Sequence, residues 1–320
     1  MRNVINRRNF VRNVAASASG LLLGGSLPAI AAGATTPEQI SEGAAATPSS
    51  PEARIKAMLR YRKLDSHVHV GLSKDGPEVN ADFAERLGMD RMFISKPVTK
   101  PVATPDDFRA ANNEILAAMR RFPGKLTGML TLNPMYLKES LEEIKRCTGE
   151  GMVGVKVYYQ VKISDPLFNP IVEKLIDLKM IMLMHAETTL GIGGYRMKYD
   201  RRMKPNASVP EDFIAIAARY PEAMFQFAHI GGGPDWEYAC KALRHSPNVY
   251  VDTSGSNNEN NMVEFAVQCV GVDRVLFGSD NMYYQSVGKV MDARLTESDK
   301  RKIFFDNYNN ILRKGGFHVS

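Results

Sequence analysis

Four of the six histidines in this sequence stand where they could do chemistry. His67 and His69 are two residues apart in the segment DSHVH, and His185 and His229 each follow an apolar run. In an extended strand, residues two apart place their side chains on the same face. Asp280 ends the run LFGSD and adds a carboxylate to these imidazoles. Because neutral imidazole nitrogens and an anionic oxygen suit a borderline-soft divalent ion, the pattern predicts a metal site, with Zn²⁺ favoured and Mn²⁺ or another divalent ion left open.

The segments that must position these side chains alternate between short apolar runs and amphipathic stretches of helical length. The predicted strands are 63–70, 91–95, 126–132, 153–158, 181–187, 224–230, 248–253 and 274–280. The predicted helices are 81–88, 105–121, 137–149, 170–178, 210–219, 235–245, 259–269 and 297–313. Eight strand-helix units of this total size match a (β/α)8 TIM barrel, in which the working residues lie at the carboxyl ends of the strands. The first strand lacks the GxGxxG turn expected of a doubly wound sheet, so we predict an α/β fold with one barrel domain at residues 54–317.

The amino-terminal segment has the features of an export signal. Residues 1–32 combine a basic start, an apolar middle and the small-residue site Ala29-Ile30-Ala31. The pair Arg7 and Arg8 resembles the twin-arginine motif, which a translocase recognises as an address. Residues 33–53 are rich in Ala, Thr, Ser, Gly and Pro and are predicted to form a flexible linker. We therefore expect a periplasmic protein exported by the twin-arginine translocase, with an uncleaved anchor as the alternative.

The overall composition is that of a soluble globular chain, with 44% hydrophobic and 24% charged residues. The formal net charge is +6, but residues 1–31 contain four arginines and no acid, so the rest of the chain is close to neutral. This distribution argues against nucleic acid as a partner. Three cysteines are too few for a disulfide framework and lack the close spacing of a zinc ribbon.

The segment from Leu64 to Gly315 resembles the metal-dependent amidohydrolase superfamily, in its amidohydrolase-related branch, which also contains aromatic-acid decarboxylases and lactonases. The resembling motifs are DSHVH, GVKVY, MHAET, AHIGG, NVYVDTSG, LFGSD and DNYNNIL, in this order. The resemblance implies that His67, His69, His185 and Asp280 are metal ligands, and that His229 is either a ligand of a second ion or a catalytic group. One departure concerns the last aspartate, which the branch commonly follows with an aromatic residue and proline, whereas this chain has Asn281 and Met282.

Three further residues are candidates for binding substrate. Lys156 lies in the predicted fourth strand, and it is either a carbamylated bridge between two ions, a contact to a substrate carboxylate or a structural amine. Tyr158 stands just past a strand end, as do Tyr283 and Tyr284, where each is a candidate for the pocket wall. Arg196 belongs to a basic, glycine-containing loop at 188–209 that either binds an anionic group or is a solvated loop.

These features together predict an enzyme that acts on a small, anionic molecule with a carbonyl centre. In this hydrolase, metal-activated water attacks the carbonyl carbon, and Asp280 and His229 are the catalytic residues, with Asp280 as general acid and base. The alternatives are a nonoxidative decarboxylase or lactonase of the same branch, and a non-catalytic periplasmic binding protein. Association into a homo-oligomer stays open.

Overall fold

The computed structural model describes residues 50–71, 76–189 and 206–320. In this part of the chain, strands and helices alternate along nearly the whole length. The strands are β1 Leu64–His69, β2 Arg91–Ser95, β3 Leu126–Gly128, β4 Gly154–Val157, β5 Ile181–Met184, β6 Met224–Phe227, β7 Val249–Asp252 and β8 Val275–Leu276. The helices are α1 Pro51–Arg60, α2 Gly76–Arg86, α3 Pro105–Arg121, α4 Leu137–Gly149, α5 Asn169–Leu178, α6 Pro210–Arg219, α7 Trp236–Leu243, α8 Met262–Val270, α9 Tyr283–Asp292, α10 Glu297–Arg301 and α11 Asn307–Lys314. None of these helices combines the length and the apolar character that crossing a membrane requires.

The strands are parallel and close into a barrel. They pair in sequence order within two groups, β1 to β3 and β4 to β8. A bridge between Leu130 and Val155 joins β3 to β4. At the other seam, the Ser66 N–H donates to the Phe277 carbonyl at 3.0 Å, which joins β8 to β1. The fold is therefore the predicted (β/α)8 barrel.

The amino end of the barrel is filled by an apolar cluster that includes the first residues of three strands, Leu64, Ile181 and Met224. The C-terminal helix α11 closes this end, and its Tyr308 ring lies 4.7 Å from the Phe93 ring, centroid to centroid. Aromatic burial of this kind stabilises the barrel floor and excludes water from it. The four candidate histidines and Asp280 lie at the opposite, carboxyl end of the strands.

Several element boundaries differ from the sequence prediction. Two helices were not predicted: α1, which begins inside the predicted linker with Ser50 as its N-cap, and α9, which follows the last strand. In α1 only Ala57 is buried, so its apolar periodicity is weak. Helix α9 buries Tyr283, Ser286, Val287 and Val290 with helical spacing, so its signal was present in the sequence and was missed. A π-helical turn at Lys302–Asp306 separates α10 from α11, where one continuous helix was expected.

Candidate metal centre

The four histidines and Asp280 meet in one cluster at the carboxyl end of the barrel. The Nε2 atoms of His67 and His69 lie 3.2 Å apart. Asp280 Oδ1 is 3.1 Å from His69 Nε2 and 3.6 Å from His67 Nε2. Ligand atoms of His67, His229 and Asp280 all lie within 4.8 Å of one another. His185 completes the group, because its Nδ1 is 3.1 Å from His229 Nε2.

The seam between β8 and β1 sets the distance between the first two histidines and the aspartate. Asp280 N–H donates to the His67 carbonyl at 2.7 Å. The Asn281 side chain then pairs with the His69 backbone, accepting from its N–H at 2.7 Å and donating to its carbonyl at 2.8 Å. Asp280 and Asn281 have φ values of 50° and 65°, in the left-handed region that asparagine and aspartate tolerate best after glycine. Where the resembling branch has an aromatic residue and proline, this chain therefore uses an amide to extend the β8–β1 pairing.

His229 is held in an unusual backbone conformation just past β6. Its φ is 45°, which is strained for a residue with a β-carbon. Gly232 makes room for the ring, since a β-carbon on this glycine would lie 3.0 Å from His229 Nδ1. Directly after His229 the chain forms a 3₁₀ turn at Ile230–Gly232.

Second hydrogen bonds orient the first two imidazoles. His67 Nδ1 lies 3.1 Å from Asp252 Oδ2, and His69 Nδ1 lies 3.0 Å from Ser95 Oγ. Both rings therefore direct Nε2 toward the cluster. At His67 the partner on the other nitrogen is a carboxylate, as in metal sites where such a partner sets the tautomer. Sequence reasoning missed Asp252 and Ser95, although each ends a strand and satisfies the same strand-end criterion that identified the histidines.

Burial favours the neutral imidazoles of His69 and His229 beside the ionised carboxylates of Asp252 and Asp280. Burial lowers the pKa of His69 to about 4 and that of His229 to about 3. Burial would raise the pKa values of Asp252 and Asp280, but the neighbouring histidines outweigh it and hold both pKa values well below the ordinary range. Unprotonated imidazole and ionised carboxylate are the forms that bind a metal ion. The donor set of His67, His69, His185, His229 and Asp280 thus fits a divalent ion in its chemistry.

The predicted substrate residues have different outcomes. Lys156 is fully buried, and its Nζ donates to His67 Nε2 at 2.9 Å. Burial lowers the pKa of Lys156 to about 8. Tyr158 is also at the cluster, with its hydroxyl 3.4 Å from His69 Nδ1 and its ring stacked at 6.2 Å from that of His185. Arg196 of the basic loop, like Arg7 and Arg8 of the export signal, lies outside the described residues.

The two tyrosines after β8 take places other than the predicted pocket wall. Tyr283 is buried, its ring stacks on Phe83 at 4.4 Å, and its hydroxyl accepts from Asn80 Nδ2 at 2.6 Å. Tyr284 is 59% exposed and contacts the other side of Phe83. Both belong to helix α9, and they pack it against α2.

Solved structures share this fold at low identity. The 2,6-dihydroxybenzoate decarboxylase from Rhizobium superposes with a TM-score of 0.64 at 15% identity, over 79% of this chain and 98% of that chain. A dihydroxybenzoic acid decarboxylase from a Polaromonas species, solved with bound manganese and an inhibitor, has a TM-score of 0.60 at 17% identity, over 79% and 96%. The 4-oxalomesaconate hydratase from Rhodopseudomonas palustris has a TM-score of 0.60 at 16% identity, over 79% and 96%.

Family membership comes from the sequence match. The family model described as amidohydrolase matches residues 64–308, from the first strand into the last helix. This range contains every strand of the barrel and every member of the histidine and aspartate cluster. The chain therefore belongs to the amidohydrolase family.

Proposed function

We propose that this protein is a metal-dependent hydrolase that cleaves a small, anionic substrate at a carbonyl centre. The observation that carries the proposal is the convergence of His67 Nε2, His69 Nε2 and Asp280 Oδ1 within 3.6 Å of one another at the carboxyl end of the barrel. Functional sites of this fold lie at that end of the strands. Family membership supports an enzyme of this general kind.

His67, His69, His185 and Asp280 are the proposed ligands, with Zn²⁺ as the favoured ion because imidazole nitrogens dominate the set. When bound, a divalent ion supplies Lewis acidity, which polarises a carbonyl group and lowers the pKa of water. His229 contacts His185 through Nε2, and its ring stacks on that of His67. It is the proposed second catalytic residue. Its uncharged imidazole lies next to the cluster and can donate a hydrogen bond to a developing oxyanion.

Asp280 is the proposed general acid and base. Its side chain is 26% exposed, whereas that of His67 is fully buried, so the carboxylate is the accessible edge of the cluster. The neighbouring imidazoles lower its pKa and keep it ionised. Its exposed position, rather than this shift, allows it to accept a proton from attacking water and pass it to the leaving group.

Lys156 and Tyr158 are the proposed contacts for an anionic substrate, together with Arg196 from the basic loop. The Lys156 ammonium is buried beside the imidazoles, where a carboxylate would find a charge that water does not screen. Tyr158 adds a hydroxyl and an aromatic face to the same wall.

A nonoxidative decarboxylase is the second candidate. The rings of Tyr158, Tyr159 and His185 lie within 6.5 Å of one another beside the cluster, and such surfaces accept flat aromatic acids. Several proteins with the same fold are decarboxylases of hydroxybenzoic acids. The same residues would then bind the substrate carboxylate that is released as carbon dioxide.

The deciding experiment measures metal content and turnover together. Protein purified without added metal is analysed for bound ions and then assayed on esters, lactones, amides and hydroxybenzoates, with and without a chelator. Chelator-sensitive acid release supports the hydrolase, and carbon dioxide release supports the decarboxylase. Turnover that persists after the metal is removed contradicts both, and inactivity across the panel leaves the binding protein.

We further propose that the protein is exported to the periplasm, with residues 1–32 as a signal recognised by the twin-arginine translocase and residues 33–53 as a linker. The support is the basic start with Arg7 and Arg8, followed by a weakly apolar stretch and a small-residue cleavage site. Replacing both arginines by lysine is expected to hold the precursor in the cytoplasm. Normal processing of that double variant would contradict this route.

A further inference from the structure

Asp252 is the most heavily bonded side chain near the histidine cluster. It ends β7 and has no solvent exposure. Oδ2 accepts from His67 Nδ1 at 3.1 Å and from Gln226 Nε2 at 2.9 Å. Oδ1 accepts from the N–H of His229 at 2.9 Å and from Ser254, through its N–H at 3.1 Å and its hydroxyl at 2.6 Å. One carboxylate thus joins β1, β6 and β7 behind the cluster.

These bonds decide which nitrogen of His67 carries the proton. An ionised carboxylate only accepts hydrogen bonds, so the nitrogen that faces it, Nδ1, must be the donor. In the neutral form of the ring, Nε2 is then the nitrogen with the lone pair. Lys156 supports this assignment independently, because its ammonium has only protons to offer and it lies 2.9 Å from His67 Nε2.

The other carboxylate oxygen prevents Asp252 from turning away. Its three donors come from two residues, and two of them are backbone N–H groups that cannot be moved without breaking the loops after β6 and β7. One of these groups belongs to His229, whose strained backbone therefore depends on the same carboxylate. Asp252 therefore fixes the position of the His67 imidazole relative to the backbone of His229.

We propose that Asp252 is a positioning residue that keeps the proton of His67 on Nδ1 and so presents an unprotonated Nε2 to a metal ion. The part that concerns the metal rests on the proposed function, whereas the tautomer is a property of the protein without metal. Partners of this kind on a ligating histidine are worth about 10- to 100-fold in metal affinity.

The test is Asp252→Asn, which preserves shape and replaces one oxygen by an NH₂ group. Because three donors face Oδ1, the amide oxygen is expected to remain there and the NH₂ group to face His67. Gln226 donates to Oδ2 through its Nε2 in wild type, so its amide must flip to accept from this NH₂ group through Oε1, which has no hydrogen-bond partner among the described residues. His67 Nδ1 then faces a donor, which favours the proton on Nε2, where it blocks metal binding.

The readouts are the ¹⁵N spectrum of His67 in the metal-free full chain and the affinity for Zn²⁺ measured by chelator competition. The His67 resonances are assigned by their loss in His67→Gln. Wild type is expected to show the Nδ1–H tautomer, and Asp252→Asn a Zn²⁺ affinity lowered about 10- to 100-fold. The Nε2–H tautomer is expected in Asp252→Asn combined with Lys156→Met, because the Lys156 ammonium opposes a proton on Nε2. Asp90→Asn is the matched control, because Asp90 lies before β2 at the amino end of the barrel and accepts from the Lys63 N–H there. Its Zn²⁺ affinity is expected to stay within twofold of wild type.

An Nε2–H tautomer in metal-free wild type overturns the proposal, and this measurement does not require any Asp252 variant to fold. Unchanged Zn²⁺ affinity in a folded Asp252→Asn protein overturns it as well, and so does an unchanged tautomer in Asp252→Asn combined with Lys156→Met, where no ammonium faces His67 Nε2. A wild-type protein that shows the Nδ1–H tautomer but binds no divalent ion contradicts the proposed function and the metal role of Asp252, while the assignment of the proton to Nδ1 stands.

Discussion

Two lysines are fully buried at opposite ends of the same barrel, and they have different partners. Lys63 precedes β1 at the amino end, and its Nζ donates to the Tyr61 carbonyl at 2.8 Å. Lys156 lies in β4 and donates to His67 Nε2 at the carboxyl end. Burial lowers both pKa values to about 8. A shifted pKa therefore does not distinguish a structural lysine from a functional one in this protein.

The hydrogen-bond partners of the two lysines distinguish the structural one from the functional one. A backbone carbonyl satisfies Lys63, and the ring of Phe304 lies beyond it at 5.8 Å. Lys156 instead faces an imidazole that belongs to a cluster of titratable side chains. The amino end of the barrel is thus organised for stability, whereas the carboxyl end gathers polar groups that would each be costly if buried alone. Four experiments can break or sharpen this contrast.

The largest effect is expected for Asp280→Asn, at the carboxyl end. Removing the proposed proton-transfer group should lower kcat by about 10²- to 10⁴-fold, because this is the usual contribution of general acid and base catalysis. Bound metal should persist in part, since the histidines remain. Turnover and metal content are measured on the same preparation, and near-normal kcat would remove Asp280 from the mechanism.

At the amino end, Lys63→Met should change the pH dependence of stability. The folded pKa is about 8 and the ordinary value is 10.5, so below pH 8 the folded state bears the full cost of a buried ammonium. Between pH 8 and pH 10.5 the unfolded chain binds more protons at Lys63 than the folded protein, and wild type gains stability relative to the variant. Above pH 10.5 the lysine is neutral in both states and the cost is gone.

The expected gain is up to about 3 kcal/mol, because each pKa unit corresponds to about 1.4 kcal/mol. Urea unfolding of wild type and Lys63→Met at pH 8 and pH 10.5 measures it as the change in their difference. Turnover of the variant at pH 7 should stay within twofold of wild type. If the difference in unfolding free energy between wild type and Lys63→Met is the same at both pH values, burial at the barrel floor does not shift the pKa of Lys63.

Lys156→Met should affect substrate binding, in contrast to Lys63→Met, which should affect stability. If the ammonium binds the anionic group of the substrate, its loss should raise KM by about 10- to 100-fold, equivalent to about 1.4 to 2.7 kcal/mol. Lys156→Arg is the comparison that keeps the charge but not the size. An unchanged KM in Lys156→Met, measured on a substrate that wild type turns over, would make this lysine a structural amine like Lys63.

The smallest effect is expected at the seam between β8 and β1. Asn281→Ala leaves the N–H and carbonyl of His69 without their side-chain partner and places alanine at a φ of 65°. We expect a loss of about 0.5 to 1.5 kcal/mol in unfolding free energy, because the His69 groups are only part-buried and water can replace the amide. Asn281→Asp retains the acceptor for His69 N–H and should lose less. Equal stability of all three proteins in urea would show that the amide pairing contributes nothing measurable.

The sequence predicted much of this arrangement because its signals are local. Apolar periodicity located the strands, and the parallel order placed His67, His69, His185, His229 and Asp280 at one end of a barrel. Helix α1 escaped prediction because only Ala57 of its residues is buried, whereas α9 was missed although Tyr283, Val287 and Val290 recur with helical spacing.

Local sequence signals do not specify which residues of distant segments form hydrogen bonds with each other. Asp252 reaches His67 across 185 positions of sequence, and Lys156 reaches it across 89. Residue types at strand ends and the alternation of strand and helix were readable from the chain alone, since they depend on neighbours within a few turns. The tautomer of His67, the pairing of Asn281 with His69 and the contrast between the two buried lysines depend on closure of the barrel, because hydrogen bonds form only between groups that folding has brought within about 3 Å.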